Sequence, residues 1–352
     1  MADNPKIQRC LLHDYREPCI YLITVTTVDR KPLLGQVTGD VHVAKVVLTE
    51  LGMAVRYEIN TLPKHYPQTQ VLQYIVMPDH VHLILRVKER LPESLPLGNI
   101  VAAWKHACGK AYASLSATGN LKVANPNGGL AQRQTISGDG MVSSRPSGIE
   151  TFRSPNNTPA KTALAPRYLR LFSEGYNDSI LRGREQLQHM IAYVRDNPRR
   201  LLLKRANSPY FTILRDIDVA GTRFDAIGNL ALLQRPLLAV HCRRRWTEGE
   251  QQAFAAQCLK ASESGTVLIG AFISKAEQEI AHAANKHRHP MIHLVENGFP
   301  ELYKPVGQAF YACAEGRLLL LAPWEYHAGH KAISREQCNA LNAMAETIAS
   351  QH

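Results

Sequence analysis

The sequence predicts an α+β protein of two domains, a ferredoxin-like or RRM-like antiparallel sheet with helices followed by a smaller α/β domain. In the first half, short β-branched runs alternate with helical segments in the order strand, ribbon, helix, strand, strand, helix. In the second half, near-continuous apolar strands alternate with helices, which is typical of a parallel sheet covered on both faces. A chain of 352 residues is long enough for two separate cores.

The composition favours nucleic acid as a partner. The formal net charge is +11 and the isoelectric point is about 9.3, and Lys and Arg contacts to phosphates supply most non-specific affinity for nucleic acids. Seven scattered cysteines without a Cys-x-x-Cys pair argue against a zinc finger and favour reduced thiols. Because the chain shows neither a secretory leader nor a long apolar run, we expect a cytoplasmic protein with no membrane partner.

The first elements are predicted from β-branched runs and helical spacing. Residues 20–28 form an apolar run that predicts a central strand, which we expect to lie beside the later histidine hairpin. Residues 33–46 predict a small hairpin that turns at Thr38-Gly39-Asp40. Apolar positions from Leu48 to about Leu62 recur at helical spacing, and Pro63 predicts the end of that helix.

The stretch Gln70–Val87 predicts a hairpin of two buried strands that carries a pair of histidines. Two apolar runs are separated by Met-Pro-Asp, and His80 and His82 begin the second run. Side chains alternate along a strand, so both imidazoles point to one face. Two neutral imidazoles side by side can hold a divalent ion, although an arbitrary His-x-His is more often structural.

A second helix and an insertion follow. Gly98 to about Leu115 predicts a helix that contains Lys105 and Lys110. Residues 116–166 are rich in Gly, Ser, Asn, Pro and Thr, which predicts a flexible, low-complexity insertion. The insertion contains basic side chains, so it could contact DNA transiently. A functionless insertion is the alternative.

The second candidate motif lies on the next predicted helix, from Arg184 to about Asp196, with Pro198 as its predicted end. Tyr193 and Asn197 are four residues apart, so they lie on one helical face. This spacing lets a phenol oxygen and an amide oxygen converge on one ion.

The two motifs together resemble those of a known family. Tyr-Ile-Val-Met-Pro-Asp-His-Val-His-Leu-Ile-Leu, ending at Leu85, is similar to the signature of REP-associated tyrosine transposases, which are single-tyrosine HUH endonucleases acting on single-stranded DNA. Tyr193-Val-Arg-Asp-Asn-Pro resembles the family's second motif. The resemblance implies an HUH nuclease domain over residues 1–205, with Tyr193 as the nucleophile. It further implies metal ligation by His80 and His82, and Asn197 as a third ligand or a group that positions the phosphate.

The resemblance also implies a reaction and its partners. We expect Mg²⁺ or Mn²⁺, a 5′-phosphotyrosine intermediate, strand rejoining without ATP, and single-stranded, hairpin-forming DNA as the substrate. For the oligomeric state, the resemblance is compatible with a monomer and with a homodimer that shares its active sites. The side chains predicted to contact DNA are basic: Arg195, Arg199, Arg200, Lys204, Arg205, Lys105 and Lys110.

The remaining residues predict a connector with short strands over residues 206–235 and a separate domain over residues 236–352. Ser274 and Glu277 form a capping box at the start of a helix, and such a helix N-terminus after a strand is a natural anion site. The phrases at residues 272–280 and 295–298 resemble the Rossmann-like domain of DNA-processing protein A. Because no Gly-x-Gly-x-x-Gly precedes the helix, a dinucleotide cofactor is disfavoured.

Two other functions remain as alternatives. A hairpin-DNA-binding protein or regulator could use the same fold without catalysis, and the complete set of His80, His82, Tyr193 and Asn197 argues against it. A metal hydrolase built on His-x-His would need further ligands and a water-activating acid, and no convincing set is found.

Overall fold

The computed structural model describes residues 13–121, 170–243, 245–329 and 332–351. The chain divides into two compact units, Met1–Leu202 and Leu203–His352. The fold is mixed α and β, with an antiparallel sheet in the first unit and a sheet containing parallel strands in the second. Within the described ranges, no helix has the length and apolar character needed to span a membrane.

The first unit is built on a four-stranded antiparallel sheet. Its elements are β1 (Ile20–Thr26), β2 (Gly35–Thr38), β3 (Lys45–Leu48), α1 (Glu50–His65), β4 (Thr69–Val76), β5 (His80–Val87), α2 (Leu97–Ala117), β6 (Asn177–Leu181) and α3 (Arg184–Ala206). The sheet order is β4-β5-β1-β6, and β2 and β3 form a separate ribbon. Apart from the ribbon, this is the β-α-β-β-α-β order of the ferredoxin-like plan. The expected position of the first strand beside the histidine hairpin is confirmed, since β1 pairs with β5.

Helices cover both faces of this sheet. Val55 of α1 and Ile100 of α2 belong to the core on one face. On the other face, Val194 of α3 packs with Leu22 and Ile84. α1 and α2 thus share one face, and α3 carries its own apolar stripe and buries it against the other face.

Two helices run through prolines that were predicted to end them. α1 continues through Pro63 to His65, and α3 continues through Pro198 to Ala206. A proline removes one N–H donor, but packing can hold the turn around it. Leu62 and Pro198 are both buried, so tertiary contacts offset the lost hydrogen bonds.

The predicted ribbon and second helix are confirmed. Gly39 turns the ribbon with a φ of 91°, and a Cβ there would lie 2.6 Å from the carbonyl oxygen of Val43. α2 covers the predicted helix and includes Ser116 and Ala117, the first residues of the predicted insertion at 116–166. From residue 122 onward, that insertion lies outside the described residues.

The second unit contains a six-stranded sheet with helices on both faces. Its elements are β7 (Leu214–Val219), β8 (Thr222–Gly228), β9 (Leu237–Ala239), α4 (Glu248–Glu263), β10 (Val267–Gly270), α5 (Lys275–Lys286), β11 (Met291–Leu294), α6 (Gly307–Ala314), β12 (Leu318–Ala322) and α7 (Arg335–Ser350). The order is β7-β8-β12-β11-β10-β9, and the strands from β9 to β12 are parallel. Cys258 and Ile280 belong to the core on one face and Leu341 to the core on the other.

Residues 206–235, predicted as a connector, contribute two strands to this sheet. β8 pairs antiparallel with both β12 and β7, so the sheet is parallel over four of its six strands. Phe224 and Ile227 on β8 are almost fully buried. β7 is an edge strand and β8 lies between β7 and β12, so residues 206–235 belong to the second unit.

Candidate active site on the first sheet

Strand β5 places His80 and His82 on the sheet face that α3 covers. Their ring centroids are 4.8 Å apart and the rings meet edge to face. Val81 and Leu83, which alternate with them, belong to the core on the opposite face. The predicted alternation is therefore confirmed, and the two imidazoles share one space.

Each imidazole is held through its Nδ1 atom. Nδ1 of His80 lies 2.7 Å from Oδ1 of Asp79, and Nδ1 of His82 lies 2.8 Å from the hydroxyl oxygen of Thr24. Thr24 pairs directly with His82 in the register of β1 and β5, which explains their contact. With both Nδ1 atoms engaged, Nε2 is the nitrogen that each ring keeps for a ligand.

His82 is held in its neutral form. Only 6% of its surface is exposed, and this burial, reinforced by the charge of neighbouring His80, lowers the pKa of His82 to about 3. A neutral imidazole has a free lone pair, which is the form that binds metals. The electrostatics of the site therefore suit a metal ligand at neutral pH.

Tyr193 reaches the same space from α3. Its ring lies edge to face with His82, with centroids 5.4 Å apart. The guanidinium carbon of Arg200 lies 5.3 Å from the centroid of the Tyr193 ring, so a positive charge stands over the phenol. Tyr193 and Arg200 are seven residues apart on one helix and therefore lie on the same face. The structure thus brings the phenol and both imidazoles together.

Asn197 lies one turn after Tyr193 and is buried. Its side-chain nitrogen Nδ2 donates a hydrogen bond to the backbone carbonyl of Tyr193 at 2.9 Å. This bond fixes the amide and leaves the carbonyl oxygen Oδ1 as the atom that a cation would bind. The hydrogen bond also ties the Asn197 side chain to the turn that carries the phenol.

The basic residues of α3 occupy different positions. Arg195 is exposed, whereas Arg199 is partly buried and lies 3.5 Å from Asp196 in an ion pair. Lys204 and Arg205 belong to the second unit. Of the predicted DNA contacts on this helix, Arg200 is therefore the one that the structure places against the phenol ring.

Lys105 and Lys110 lie on the opposite side of the sheet, because α2 packs with the other core. The ammonium group of Lys105 donates hydrogen bonds to the backbone carbonyls of Ser173 and Gly175, at 2.6 and 2.7 Å. Lys110 is exposed. The structure does not bring either lysine to the histidine pair, and it gives Lys105 a structural contact that the sequence did not suggest.

The donor atoms fit a divalent cation with ligands of mixed type. In the part of the chain that the structure describes, no group of three or more His, Cys, Asp or Glu side chains is placed to hold a metal. His80 and His82 supply two nitrogens, so an oxygen from Asn197, Tyr193 or a substrate phosphate would complete the set. Imidazole and oxygen ligands together accommodate Mn²⁺ and, with more oxygens, Mg²⁺.

The predicted anion site at the start of α5 is filled by a side chain of the protein. The capping box of Ser274 and Glu277 is confirmed. The buried carboxylate of Glu277 accepts hydrogen bonds from the backbone N–H groups of Cys242, Ile273 and Ser274 at 2.9 to 3.0 Å. These three donors are thus satisfied by Glu277, whose carboxylate occupies the space before α5 where an external anion was expected.

Comparisons with known proteins give distant similarities. No protein-family model matches the sequence. An uncharacterized protein of Haemophilus influenzae is 25% identical over 79 residues, which is 22% of this chain and 42% of that protein. The chain thus matches less than half the length of this curated relative.

Two solved structures are similar at low TM-scores. The structure of a REP-associated tyrosine transposase bound to a REP hairpin has a TM-score of 0.30 and 12% identity, covering 54% of this chain and 73% of that one. DNA-processing protein A from Helicobacter pylori, studied for its binding of single-stranded DNA, has a TM-score of 0.29 and 16% identity, covering 39% of this chain and 65% of that one. Both similarities are distant, so the function is inferred from the geometry of the site.

Three residues near the histidine pair were missed in the sequence. Asp79 directly precedes His80 and was interpreted as part of the turn between the two strands. Thr24 could be found only from the register of β1 against β5. Arg30 lies 3.3 Å from Asp79 because the backbone turns through positive φ angles at Asp29 and Arg30, which no local pattern indicates.

Proposed function

We propose that the first unit is a single-strand DNA endonuclease and strand transferase of the single-tyrosine HUH transposase class, with Tyr193 as its nucleophile. One observation carries this proposal: the phenol ring of Tyr193 lies edge to face with the imidazole of His82, which in turn lies edge to face with that of His80. A phenol beside two imidazoles joins a nucleophile to a candidate cation site. A structural tyrosine would not need a pair of imidazoles with both Nδ1 atoms engaged.

The residues assigned to the cation are His80, His82 and Asn197. Nε2 of each histidine and Oδ1 of Asn197 would hold Mg²⁺ or Mn²⁺. When bound, the ion would neutralise charge on the scissile phosphate and orient it for in-line attack.

The chain's own groups then account for the bond changes. The phenol oxygen of Tyr193 gives its proton to water and attacks the phosphorus atom. As the oxygen–phosphorus bond to tyrosine forms, the bond from phosphorus to the 3′ oxygen breaks, and that oxygen takes a proton from water. The products are a 5′-phosphotyrosine and a free 3′-hydroxyl. Attack by another 3′-hydroxyl reverses the step and joins new ends, so no ATP is required.

The exposed basic side chains of α3 suit the strand that must reach this tyrosine. Arg195 is exposed one residue beyond the buried Val194, and Arg200 stands over the phenol. The charge of Arg200 would bind a phosphate next to the scissile bond, whereas Arg195, two residues from Tyr193 and so on a different face of the helix, would contact the strand farther away. On the resemblance of the two motifs, we propose single-stranded, hairpin-forming DNA as the substrate class.

A gel experiment tests the proposal. Hairpin DNAs with single-stranded flanks, labelled at the 3′ end, are mixed with the protein and Mg²⁺ or Mn²⁺ and run under denaturing conditions. The wild type should give a slow band in which label and protein are joined. Tyr193→Phe and His82→Ala should give none, whereas Tyr57→Phe, which removes an exposed hydroxyl on α1, should behave as wild type.

A native gel run beside the denaturing gel tests the rival function. A wild type that retards several hairpins in the native gel, yet forms no adduct with either metal in the denaturing gel, would contradict the nuclease proposal. That result would favour the non-catalytic hairpin-binding regulator.

A further inference from the structure

Asp79 and Arg30 form a chain of contacts that leads to His80. Oδ1 of Asp79 lies 2.7 Å from Nδ1 of His80, and Oδ2 lies 3.3 Å from the guanidinium of Arg30. One carboxylate therefore uses one oxygen for the imidazole and the other for the arginine. A carboxylate against Nδ1 favours the tautomer with its proton on Nδ1, which leaves the Nε2 lone pair free.

The backbone holds this carboxylate in place. The buried Thr27 donates a hydrogen bond from its N–H to the carbonyl oxygen of Asp79 at 2.9 Å, and its hydroxyl proton is shared between the carbonyl oxygens of Lys31 at 2.8 Å and Asp79 at 3.0 Å. Leu34 donates from its N–H to Pro78 at 2.9 Å. Two segments far apart in sequence are thus pinned together beside the first histidine.

The turn that presents Arg30 is conformationally unusual. Asp29 and Arg30 have φ angles of 54° and 51°, both in the left-handed region that non-glycine residues avoid. Strain of this kind persists where surrounding contacts fix it and is found at functional sites. Here it directs the arginine side chain back to Asp79.

We propose that Asp79, supported by Arg30, is a positioning residue that keeps the proton of His80 on Nδ1 and presents Nε2 to the metal and phosphate. The hydroxyl of Thr24 contacts Nδ1 of His82 as the carboxyl group of Asp79 contacts Nδ1 of His80. The inference rests on the proposed function for its purpose, but the tautomer that it specifies belongs to the protein alone. Asp79 would act through His80 and would touch neither the metal nor the DNA.

Nuclear magnetic resonance of histidine-labelled protein tests the tautomer. In protein labelled with ¹⁵N-histidine, proton–nitrogen correlations distinguish rings protonated on Nδ1 from rings protonated on Nε2, and His80→Ala assigns the signals. The wild type should show His80 protonated on Nδ1, and Asp79→Ala should shift it towards Nε2. The matched control Asp29→Asn removes a negative charge from the Arg30 turn without a contact to either histidine, and should leave the signal unchanged.

The second readout is Mn²⁺ binding, measured from the electron paramagnetic resonance signal of free Mn²⁺. Asp79→Ala should weaken Mn²⁺ binding by about 10- to 100-fold, the usual effect of removing such a partner. Asp79→Asn keeps the side-chain volume, and because its carbonyl can still accept from Nδ1 it should lie between Asp79→Ala and the wild type. Backbone spectra of each variant would report any loss of folding.

The outcomes separate this inference from the proposed function. Protonation of wild-type His80 on Nε2, or wild-type Mn²⁺ affinity in folded Asp79→Ala, would overturn the positioning role. A His80 proton on Nδ1 that depends on Asp79, in a protein that binds no Mn²⁺, would support the positioning role and count against the metal in the proposed function.

Discussion

The rings of His82 and Tyr193 lie edge to face with their centroids 5.4 Å apart, although one residue is on strand β5 and the other on helix α3. Tyr193 packs against the apolar core that α3 forms with the sheet, which contains Leu22, Ile84 and Val194. Polar side chains beside an apolar core are costly unless they are satisfied or used.

Asn197 should matter both for folding and for cation binding. Asn197→Ala loses the hydrogen bond to the carbonyl of Tyr193 and should destabilise the first unit by about 1 kcal/mol. It should also weaken Mn²⁺ binding about tenfold if Oδ1 is a ligand. Urea unfolding and Mn²⁺ titration measure the two effects separately.

Asn197→Asp provides the matched comparison. It keeps an oxygen for the cation but loses the N–H donor, so Mn²⁺ binding should persist while stability falls. Equal loss of Mn²⁺ binding in the alanine and aspartate variants would show that Asn197 is not a ligand.

Arg200 should affect both DNA affinity and adduct formation. Removing one phosphate contact lowers the slope of log affinity against log salt by about 0.7 for a single strand. Because its charge also stands over the phenol, Arg200→Ala should slow adduct formation by about tenfold, which corresponds to ~1.4 kcal/mol. Binding measured at several salt concentrations, with single-turnover gels, gives both numbers.

Lys110→Ala is the control for this prediction, since its exposed side chain lies on the other side of the sheet. It should leave the salt slope and the adduct rate unchanged. A Lys110→Ala variant that lowers the slope as much as Arg200→Ala would place the DNA on the α2 side instead.

Lys105 should stabilise the fold and leave DNA binding intact. Its ammonium group holds the carbonyls of Ser173 and Gly175, which precede β6. Lys105→Met keeps the length and removes both charge-assisted hydrogen bonds, so it should cost about 1.5 to 3 kcal/mol of unfolding free energy. Thermal or urea unfolding checks this, with Lys110→Met as the comparison, and normal stability of Lys105→Met would contradict the contact.

The thiols of the second unit should resist alkylation in the native state. Burial raises the pKa of both Cys258 and Cys313 to about 12, so almost no thiolate is present at pH 8. The partly exposed Cys19 and Cys338 should react first with iodoacetamide. Mass spectrometry after short labelling gives the order, and early modification of Cys258 would show that its core is open.

Local patterns predicted much of this site because the relevant spacings are local. The alternation of His80 with Val81 fixes which face each side chain takes, and the four-residue step from Tyr193 to Asn197 fixes a shared helical face. The order of strands and helices could also be predicted from the sequence, because strands and helices differ in the spacing of their apolar residues.

What the sequence did not reveal depends on contacts between distant segments. Thr24 contacts His82 only through the pairing of β1 with β5, and Lys105 binds carbonyls that lie far along the chain. Pro198 was expected to end α3, yet the packing of the turn around it keeps the helix intact. Short strands were expected in residues 206–235, but the pairing of β8 with β12 joins segments about 90 residues apart and so has no local signal.

Peptide mapping of the DNA adduct tests the central claim most directly. Wild-type protein is reacted with hairpin DNA and Mn²⁺, the DNA is trimmed with nuclease, and the digested peptides are analysed by mass spectrometry. The chain has 13 tyrosines, and the account predicts a nucleotide phosphate on Tyr193 alone. A nucleotide on another tyrosine, or cleaved DNA with no covalent peptide, would contradict Tyr193 as the nucleophile.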